Sequence, residues 1–359
     1  IRDRGNYNSF NVADALLVDP LTGLLNPAAR LLYHDDWNDE AFRNGLRQEY
    51  NVSISGGNDR TNYYMSFNYL NDESYVKKSA FDRMTGRLRV DHKAFDWLTV
   101  GANVSYAHTK RDGLSIESGK GSNLFAFTQY IAPIYPVYLY DKQGNLVLDA
   151  QGNRQLDMGS EFGRTQLYSQ NRNPLVEVYN NTNELMYDVF NARGYADIKL
   201  YDGLTFHADV AIDNFASYND KFSAPVTPDA MESNGYGEKE TARTSVVNAT
   251  QRLNYEKTFG GKHSIGLMVG HETKAENNRG LGAYRKQFYL PENNFSYSIA
   301  NLDDPASSNN SYHLESYLGR AEYSYAHRYS LSATYRRDGS SMFAPEERWG
   351  NFWSIGAAW

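Results

Sequence analysis

Strict two-residue alternation of side chains recurs along this 359-residue chain and constrains its fold more than any other feature. From Met84 to Asp91, apolar or small residues occupy the even positions, whereas Thr, Arg and Asp occupy the odd ones. The same pattern recurs over 98–106, 204–212 and 329–335. A side-chain period of two is typical of β-strands with one apolar and one polar face. Four further segments alternate less strictly, near Asn51, Phe190, Val247 and Tyr317. With these segments the predicted total is about eleven strands.

The links between these strands are predicted to alternate between short and long. The short links are expected near 56–59, 92–94, 201–203, 260–262 and 326–327. The long links are expected over 70–79, 107–186, 214–242, 274–311 and 338–350. Short turns on one rim and long loops on the other are typical of bacterial outer-membrane barrels. We therefore predict an all-β fold, an antiparallel transmembrane β-barrel, in which residues 49–359 form the strands and residues 1–48 form an extracellular-side segment that leads into them.

The composition is compatible with a barrel and argues against several other classes of protein. A mean hydropathy of -0.66 is too polar for a helical membrane protein, and no apolar stretch approaches the roughly 20 residues of a spanning helix. A barrel tolerates this polarity because every second strand residue faces a polar lumen. The net charge of -7 argues against a nucleic-acid partner, since phosphate binding requires clustered Lys and Arg.

Motifs for catalysis, cofactor binding or metal binding are missing from the sequence. The chain has no cysteine, and its eight histidines include no pair at ligand spacing. The acidic pairs Asp303-Asp304 and Glu346-Glu347 lie among loop residues, where solvated charges are more common than a catalytic pair of carboxylates. We therefore expect no enzyme, no catalytic residue, no cofactor and no metal site.

The longest predicted link, 107–186, contains the candidate recognition residues. Its aromatic candidates are Phe125, Phe127, Tyr130, Tyr135, Tyr138 and Tyr140. Exposed rings at this density usually mark a binding surface, so the loop is expected to contact a partner protein or to line a substrate chamber. The other interpretation is that the rings fold the loop upon itself as a small core. Within the loop, the similar segments 140–145 and 148–153 predict two tight hairpin turns.

Several segments resemble the SusC-like (SusC/RagA) family of TonB-dependent outer-membrane transporters. The resemblance covers the chain from Asp36 to its C-terminus, and its most specific part is the segment 335–341 followed by Phe343 and 348–350. The motif residues that match are Asp36, Trp37, Gly56, Gly57, Asn173, Pro174, Arg336, Arg337, Asp338, Gly339, Arg348, Trp349 and Gly350. The pair Arg336 and Arg337 is expected to bind carboxylates in the lumen.

This resemblance implies a plugged barrel of about 22 strands, of which the chain would form roughly half. It also implies import of a nutrient, a glycan or oligosaccharide or else a peptide, across the bacterial outer membrane. The implied partners are a SusD-like surface lipoprotein, the TonB complex, which would contact segments outside this sequence, and outer-membrane lipid. Because an open sheet edge is costly in lipid, we expect the chain to be part of a longer one.

Two other functions are compatible with parts of the sequence. A passive porin-like channel would share the rhythm of turns and loops, and an upstream plug domain would argue against it. A soluble, β-rich glycan-binding protein could use loop tyrosines to stack on sugars, and it would purify without detergent. The sequence does not specify the substrate, because loop residues that bind ligands need not follow a motif.

Overall fold

A computed structural model describes residues 8–113, 124–132, 134–141, 143–158, 173–227 and 229–359. Within these residues, one antiparallel sheet of twelve strands dominates the fold, with eleven strands as successive neighbours and the short β9 paired only with β8. The all-β antiparallel prediction and its count of about eleven strands are confirmed. The strands are β1 Arg47–Gly57, β2 Thr61–Glu73, β3 Ala80–Phe95, β4 Leu98–Asp112, β5 Thr182–Tyr201, β6 Leu204–Ser223, β7 Tyr236–Phe259, β8 His263–Phe288, β9 Ser298–Asn301, β10 Ala306–Tyr325, β11 Tyr329–Ser340 and β12 Trp349–Ala358.

The helices of the described residues are short. The four α-helices are α1 Asp14–Leu17, α2 Trp37–Ala41, α3 Leu124–Tyr130 and α4 Pro174–Asn180, and the two 3-10 turns are η1 Phe295–Tyr297 and η2 Pro345–Glu347. Among the described residues, no helix has both the length and the apolar character needed to cross a membrane.

Short and long links alternate along the sheet, as the sequence predicts. The short turns comprise residues 58–60, 96–97, 202–203, 260–262 and 326–328. Because each strand runs antiparallel to the one before it, these turns all lie at one rim and the longer links all lie at the other. We call these the short-turn rim and the long-loop rim.

One predicted turn is misplaced. The segment 92–94 belongs to β3, and the chain reverses at Asp96 and Trp97 instead. A break in register between Lys93 and Phe95 shifts the strand end. The Phe95 and Trp97 rings then stack with centroids 5.3 Å apart, and Lys93 Nζ lies 2.8 Å from Asp96 Oδ1. These contacts stabilise the turn after Phe95, and neither is visible as a Gly or Asn signal in the sequence.

The strands extend further toward the long-loop rim than predicted, so the boundaries expected for the long loops are too wide. The predicted links 107–186, 214–242 and 274–311 are reduced to 113–181, 224–235 and 289–305. Residues 1–7, 114–123 and 159–172 of the predicted segments lie outside the described residues. Alternation ends before the strands do, because side chains near this rim are polar on both faces. Thr244 Oγ1, for example, donates to Asn278 Oδ1 at 2.6 Å.

The sheet has an apolar face and a polar face. On the apolar face Met65 pairs across the strands with Ile54 and Leu88, and Leu88 pairs with Val104. This face is not covered by the rest of the described chain, since Met65 is 49% and Val269 60% exposed. The polar face carries charged and amide side chains, including Arg89, Asp91, Arg193, Asp209, Glu272 and Arg336. The largest buried cluster therefore lies outside the sheet, at the long-loop rim.

Candidate functional site

The largest buried cluster joins two parts of the chain that are distant in sequence. Residues 8–46 pack against the described parts of the β4–β5 loop, residues 113–181, and we call this assembly the loop unit. Its apolar side chains with no solvent exposure include Ala41, Leu124, Val137 and Leu175. The predicted extracellular-side segment is thus folded onto the longest loop, a pairing that the sequence does not reveal.

Trp37 lies at the centre of this core. Asp36 caps helix α2 by accepting a hydrogen bond from the Asn38 N–H at 2.8 Å, which fixes the helix start. The Trp37 side chain is buried, packs edge-on against Phe127 with centroids 4.8 Å apart, and donates its Nε1–H to the Tyr135 carbonyl oxygen at 2.9 Å. The motif residues Asp36 and Trp37 therefore anchor the N-terminal segment to the long loop.

Asp35 fastens the same segment to the strand-like hairpin that begins at Val137. Its Oδ2 accepts hydrogen bonds from the backbone N–H groups of Val137 at 2.9 Å and Tyr138 at 3.1 Å, and its Oδ1 accepts one from the Tyr140 hydroxyl at 2.7 Å. Hydrogen bonds to a charged group contribute about 1.5–3 kcal/mol each. Burial, followed by the hydrogen bond to Asp35, raises the pKa of Tyr140 above its usual value.

Glu40 holds the Tyr138 side chain in a second polar contact. The Tyr138 hydroxyl donates to Glu40 Oε2 at 2.7 Å. Arg154 lies 3.6 Å from Glu40 Oε1, and its guanidinium carbon is 3.9 Å from the centre of the Tyr138 ring. Burial, then the hydrogen bond to Glu40, raises the pKa of Tyr138. These contacts give the ring a fixed orientation between a carboxylate and a cation.

Asn173 connects helix α4 to the hairpin. Its side chain is completely buried, its Nδ2 donates to the carbonyl oxygens of Val137 and Asp157 at 3.0 Å each, and its Oδ1 accepts from the Leu175 N–H at 3.1 Å. Pro174 follows as the first residue of the helix, where its missing N–H costs nothing. The motif pair Asn173-Pro174 therefore caps α4 and joins three pieces of backbone.

The two predicted hairpin turns are confirmed. Asp141 accepts backbone hydrogen bonds from Gln143 and Asn145, and Asp149 does the same from Gln151 and Asn153. Gly144 and Gly152 have φ values of 85° and 84°, which favour glycine. Hydrogen bonds from the Asn145 side chain and backbone hold the pKa of Asp141 below its usual range. Both carboxylates therefore accept hydrogen bonds from residues of their own turns.

The six candidate aromatic residues have different environments. Phe127, Tyr135 and Tyr138 are buried in the loop unit, and Phe125 and Tyr140 pack against that core. The side chain of Tyr130 is 66% exposed. The arrangement matches the interpretation in which the rings form a core, with the addition that Tyr33 and Trp37 of the N-terminal segment complete it. Tyr130 remains the candidate for direct contact with a partner.

The C-terminal motif lies on β11, β12 and the loop between them. Arg336 on the polar face reaches Glu272 Oε2 at 2.9 Å and Asp338 Oδ1 at 2.6 Å. The expectation of a carboxylate-binding pair holds for Arg336 alone, because Arg337 is on the opposite face and places its guanidinium 5.0 Å from the centre of the Trp349 ring. Consecutive strand residues point to opposite faces, which is why two adjacent arginines cannot share one site.

The remaining motif residues lie in β1, β11, β12 and the loop between β11 and β12. Gly339 pairs directly with Trp349, and a side chain on Gly339 would collide with the indole ring. Arg348 Nε donates to the Phe343 carbonyl oxygen at 3.2 Å within the β11–β12 loop. Gly350 continues β12, and Gly56 and Gly57 end β1 before the first short turn. Among the residues that the structure describes, no group of three or more His, Asp and Glu side chains is arranged to hold a metal ion.

Comparison with known proteins identifies relatives of the chain. No protein-family profile matches it. The TonB-dependent receptor P3 of Formosa agariphila is 27% identical over 334 residues, covering 90% of this chain and 31% of the receptor. The TonB-dependent receptor SusC of Bacteroides thetaiotaomicron is 26% identical over 344 residues, covering 90% of this chain and 32% of SusC. The chain is related to the SusC-like TonB-dependent receptors. This SusC-like chain spans about a third of the length of the curated relatives.

Solved structures support the same relationship at the level of the fold. The SusC-like chain superposes on the RagAB peptide transporter with a TM-score of 0.68 and 22% identity, covering 90% of this chain and 35% of that one. For the RagAB peptide importer in the open-open state, the TM-score is 0.69 and the identity is 20%. This superposition covers 98% of the SusC-like chain and 36% of the importer chain. The twelve-strand sheet therefore shares its fold with about a third of the RagAB chain. The relatives named here are receptors and transporters rather than enzymes.

Proposed function

We propose that this SusC-like chain forms part of the barrel wall of a TonB-dependent importer, which carries an oligosaccharide or a peptide across the bacterial outer membrane. The observation that carries the proposal is the sheet with alternating short and long links, which superposes on the RagAB peptide importer with a TM-score of 0.69. The curated relatives named TonB-dependent receptors support it through 24–27% identity over most of the chain.

The exposed apolar face supports a position in the lipid bilayer. Met65, Leu88, Val269 and Ile355 are between 42% and 70% exposed on this face. Exposing so much apolar surface to water would be unfavourable, whereas lipid accepts it. The polar face then lines the lumen. In this orientation the short-turn rim is periplasmic, and the loop unit is extracellular.

The loop unit is the proposed contact surface for a SusD-like surface lipoprotein, and it also borders the substrate chamber. Its core is folded through long-range contacts, such as the Trp37 hydrogen bond to Tyr135 across 98 residues. A rigid unit can present a fixed surface to a partner with little loss of conformational entropy on binding. Tyr130, exposed on α3, is the candidate ring for that contact.

Uptake that depends on TonB distinguishes the importer from a porin-like channel, which shares the strand rhythm. Cells that carry the full-length receptor are expected to accumulate a labelled oligosaccharide or peptide, and deletion of TonB is expected to abolish this accumulation. A passive channel needs no energy source. The control is a strain that lacks the receptor but retains TonB. Undiminished uptake after TonB deletion would favour the channel, and equal uptake with and without the receptor would refute transport by this protein.

A further inference from the structure

A cavity of about 710 Å³ lies at the long-loop rim, where the ends of β1–β4 meet the loop unit. Its wall combines strand residues with Tyr75 of the β2–β3 loop and Phe125 of α3. Ligand sites commonly have volumes of about 300–1,000 Å³. The cavity is therefore large enough for a segment of an oligomeric ligand.

Four lining residues form a single row across the polar face of the sheet. Arg47 pairs with Asp72, Asp72 pairs with Phe81, and Phe81 pairs with Arg111. Directly paired residues on neighbouring strands point to the same side of a sheet. The row therefore presents two guanidinium groups, a carboxylate and an aromatic ring to the same space.

Among the described residues, Arg111 is the charged residue that lines this cavity without a counter-ion within 4 Å. The acidic lining residues each have a basic neighbour: Asp72 has Arg47 at 3.6 Å, Glu73 has Arg43 at 3.6 Å, and Asp112 has Lys110 at 3.5 Å. Within the described part of the chain, the Arg111 guanidinium makes no ion pair or hydrogen bond, and the residue is exposed. Its planar set of N–H donors matches a carboxylate in bidentate geometry.

An aromatic cluster contributes Tyr75 and Phe125 to the wall of the same cavity. The rings of Phe42, Tyr75 and Phe125 form a triangle with centroid separations of 5.7–6.1 Å. Phe42 and Phe125 are partly buried against the loop unit, whereas Tyr75 is 59% exposed. The rigid, amphipathic Tyr75 ring can cover a flat or apolar part of a ligand while its hydroxyl remains solvated.

We propose that this cavity binds a carboxylate-bearing segment of the imported oligomer. Arg111 pairs with the carboxylate, and Tyr75 covers the adjoining ring or apolar group. The inference rests on the proposed import function for its biological role, but binding can be measured independently of transport. An acidic sugar unit and the C-terminus of a peptide would both supply the carboxylate, so the test includes both sources.

The experiment measures binding to the full-length receptor in detergent by titration calorimetry. The probes are a uronate oligosaccharide, the same oligosaccharide with its carboxylates reduced to alcohols, a peptide with a free C-terminus and its C-terminal amide. We expect one acidic probe to bind at least about tenfold more tightly than its neutral counterpart, since bonds to a charged group are worth roughly a factor of ten or more. The R111Q substitution should bring the ratio of the two affinities close to one. The R60Q substitution, at the short-turn rim, should leave this ratio unchanged.

The aromatic contact is tested in the same titrations. Tyr75→Ala should weaken binding of the acidic probe and its neutral counterpart alike, whereas Tyr75→Phe keeps the ring and should bind both as the parent does. Correct assembly of every variant is checked by its heat-dependent mobility in gels. A parent receptor that binds neither acidic probe, equal affinity for acidic and neutral probes, or an unchanged ratio in R111Q would each overturn the proposal.

The two proposals fail in different ways. Arg111-dependent binding without any TonB-dependent uptake would leave the site intact and refute import. TonB-dependent uptake of a neutral oligomer at equal rates by the parent and R111Q, without binding of either acidic probe, would refute the site alone.

Discussion

A receptor carrying Asn173→Ala is expected to lose the folded loop unit while its barrel still assembles. The substitution removes three hydrogen bonds at a completely buried position: two that the Asn173 side chain donates to the Val137 and Asp157 carbonyls, and one that it accepts from the Leu175 N–H as the helix cap. The two lost bonds to carbonyls cost about 0.5–1.5 kcal/mol each, and the lost helix cap costs about 1 kcal/mol. Limited proteolysis of the purified receptor should therefore cleave the β4–β5 loop far faster.

The matched control is Asn180→Ala on the same helix. Asn180 is exposed and makes one side-chain bond, to the Val176 carbonyl oxygen at 2.8 Å, so its replacement should leave the loop resistant to protease. If the loop unit contacts the surface lipoprotein, Asn173→Ala should also abolish co-purification of that lipoprotein and reduce uptake. Unchanged protease resistance in Asn173→Ala would show that the unit does not depend on this connection.

Val269→Arg is expected to impair insertion of the barrel into membranes. Val269 lies on the apolar face of β8, is 60% exposed, and pairs with Leu253 and Gly319. An arginine that faces lipid near the middle of the bilayer costs about 2–4 kcal/mol. Urea titration of the receptor folded in lipid vesicles should show a loss of unfolding free energy of that size.

The control for this substitution is Thr250→Arg on the polar face of the neighbouring strand. Thr250 pairs with Asp209 and Glu272, so a new guanidinium there would have acidic neighbours and access to water. Its effect on the unfolding free energy should be under about 1 kcal/mol. Equal losses for the two arginine variants would contradict a lipid-facing apolar surface.

The sheet could be predicted from the sequence because alternation is a local property. Runs such as Met84–Asp91 show which residues share a face, and the lengths of the intervening links show the order of turns and loops. Strand ends were less predictable. Beyond Lys274, β8 continues for 14 residues with polar side chains on both faces, and backbone pairing there leaves no alternating signal.

The candidate site was only partly predictable, since it depends on contacts between distant residues. The density of aromatic rings between Phe125 and Tyr140 predicted a functional or self-packed loop. It did not indicate that Tyr33 and Trp37 complete the core of this loop. Likewise, the cavity at Arg111 arises from a register across four strands. Pairing registers fix such rows, and a single sequence does not report them.

Accessibility of the two rims tests the central claim most directly, and the absence of natural cysteine from this chain makes it practical. Single cysteines would replace Asp59 and Lys262 at the short-turn rim, and Thr22 and Glu292 at the long-loop rim, all of which are exposed. The full-length receptor without these cysteines is the control. In intact cells, a maleimide that cannot cross the outer membrane should label positions 22 and 292 and should reach 59 and 262 only after permeabilisation. Labelling of positions from both rims in intact cells would contradict a membrane-spanning barrel wall.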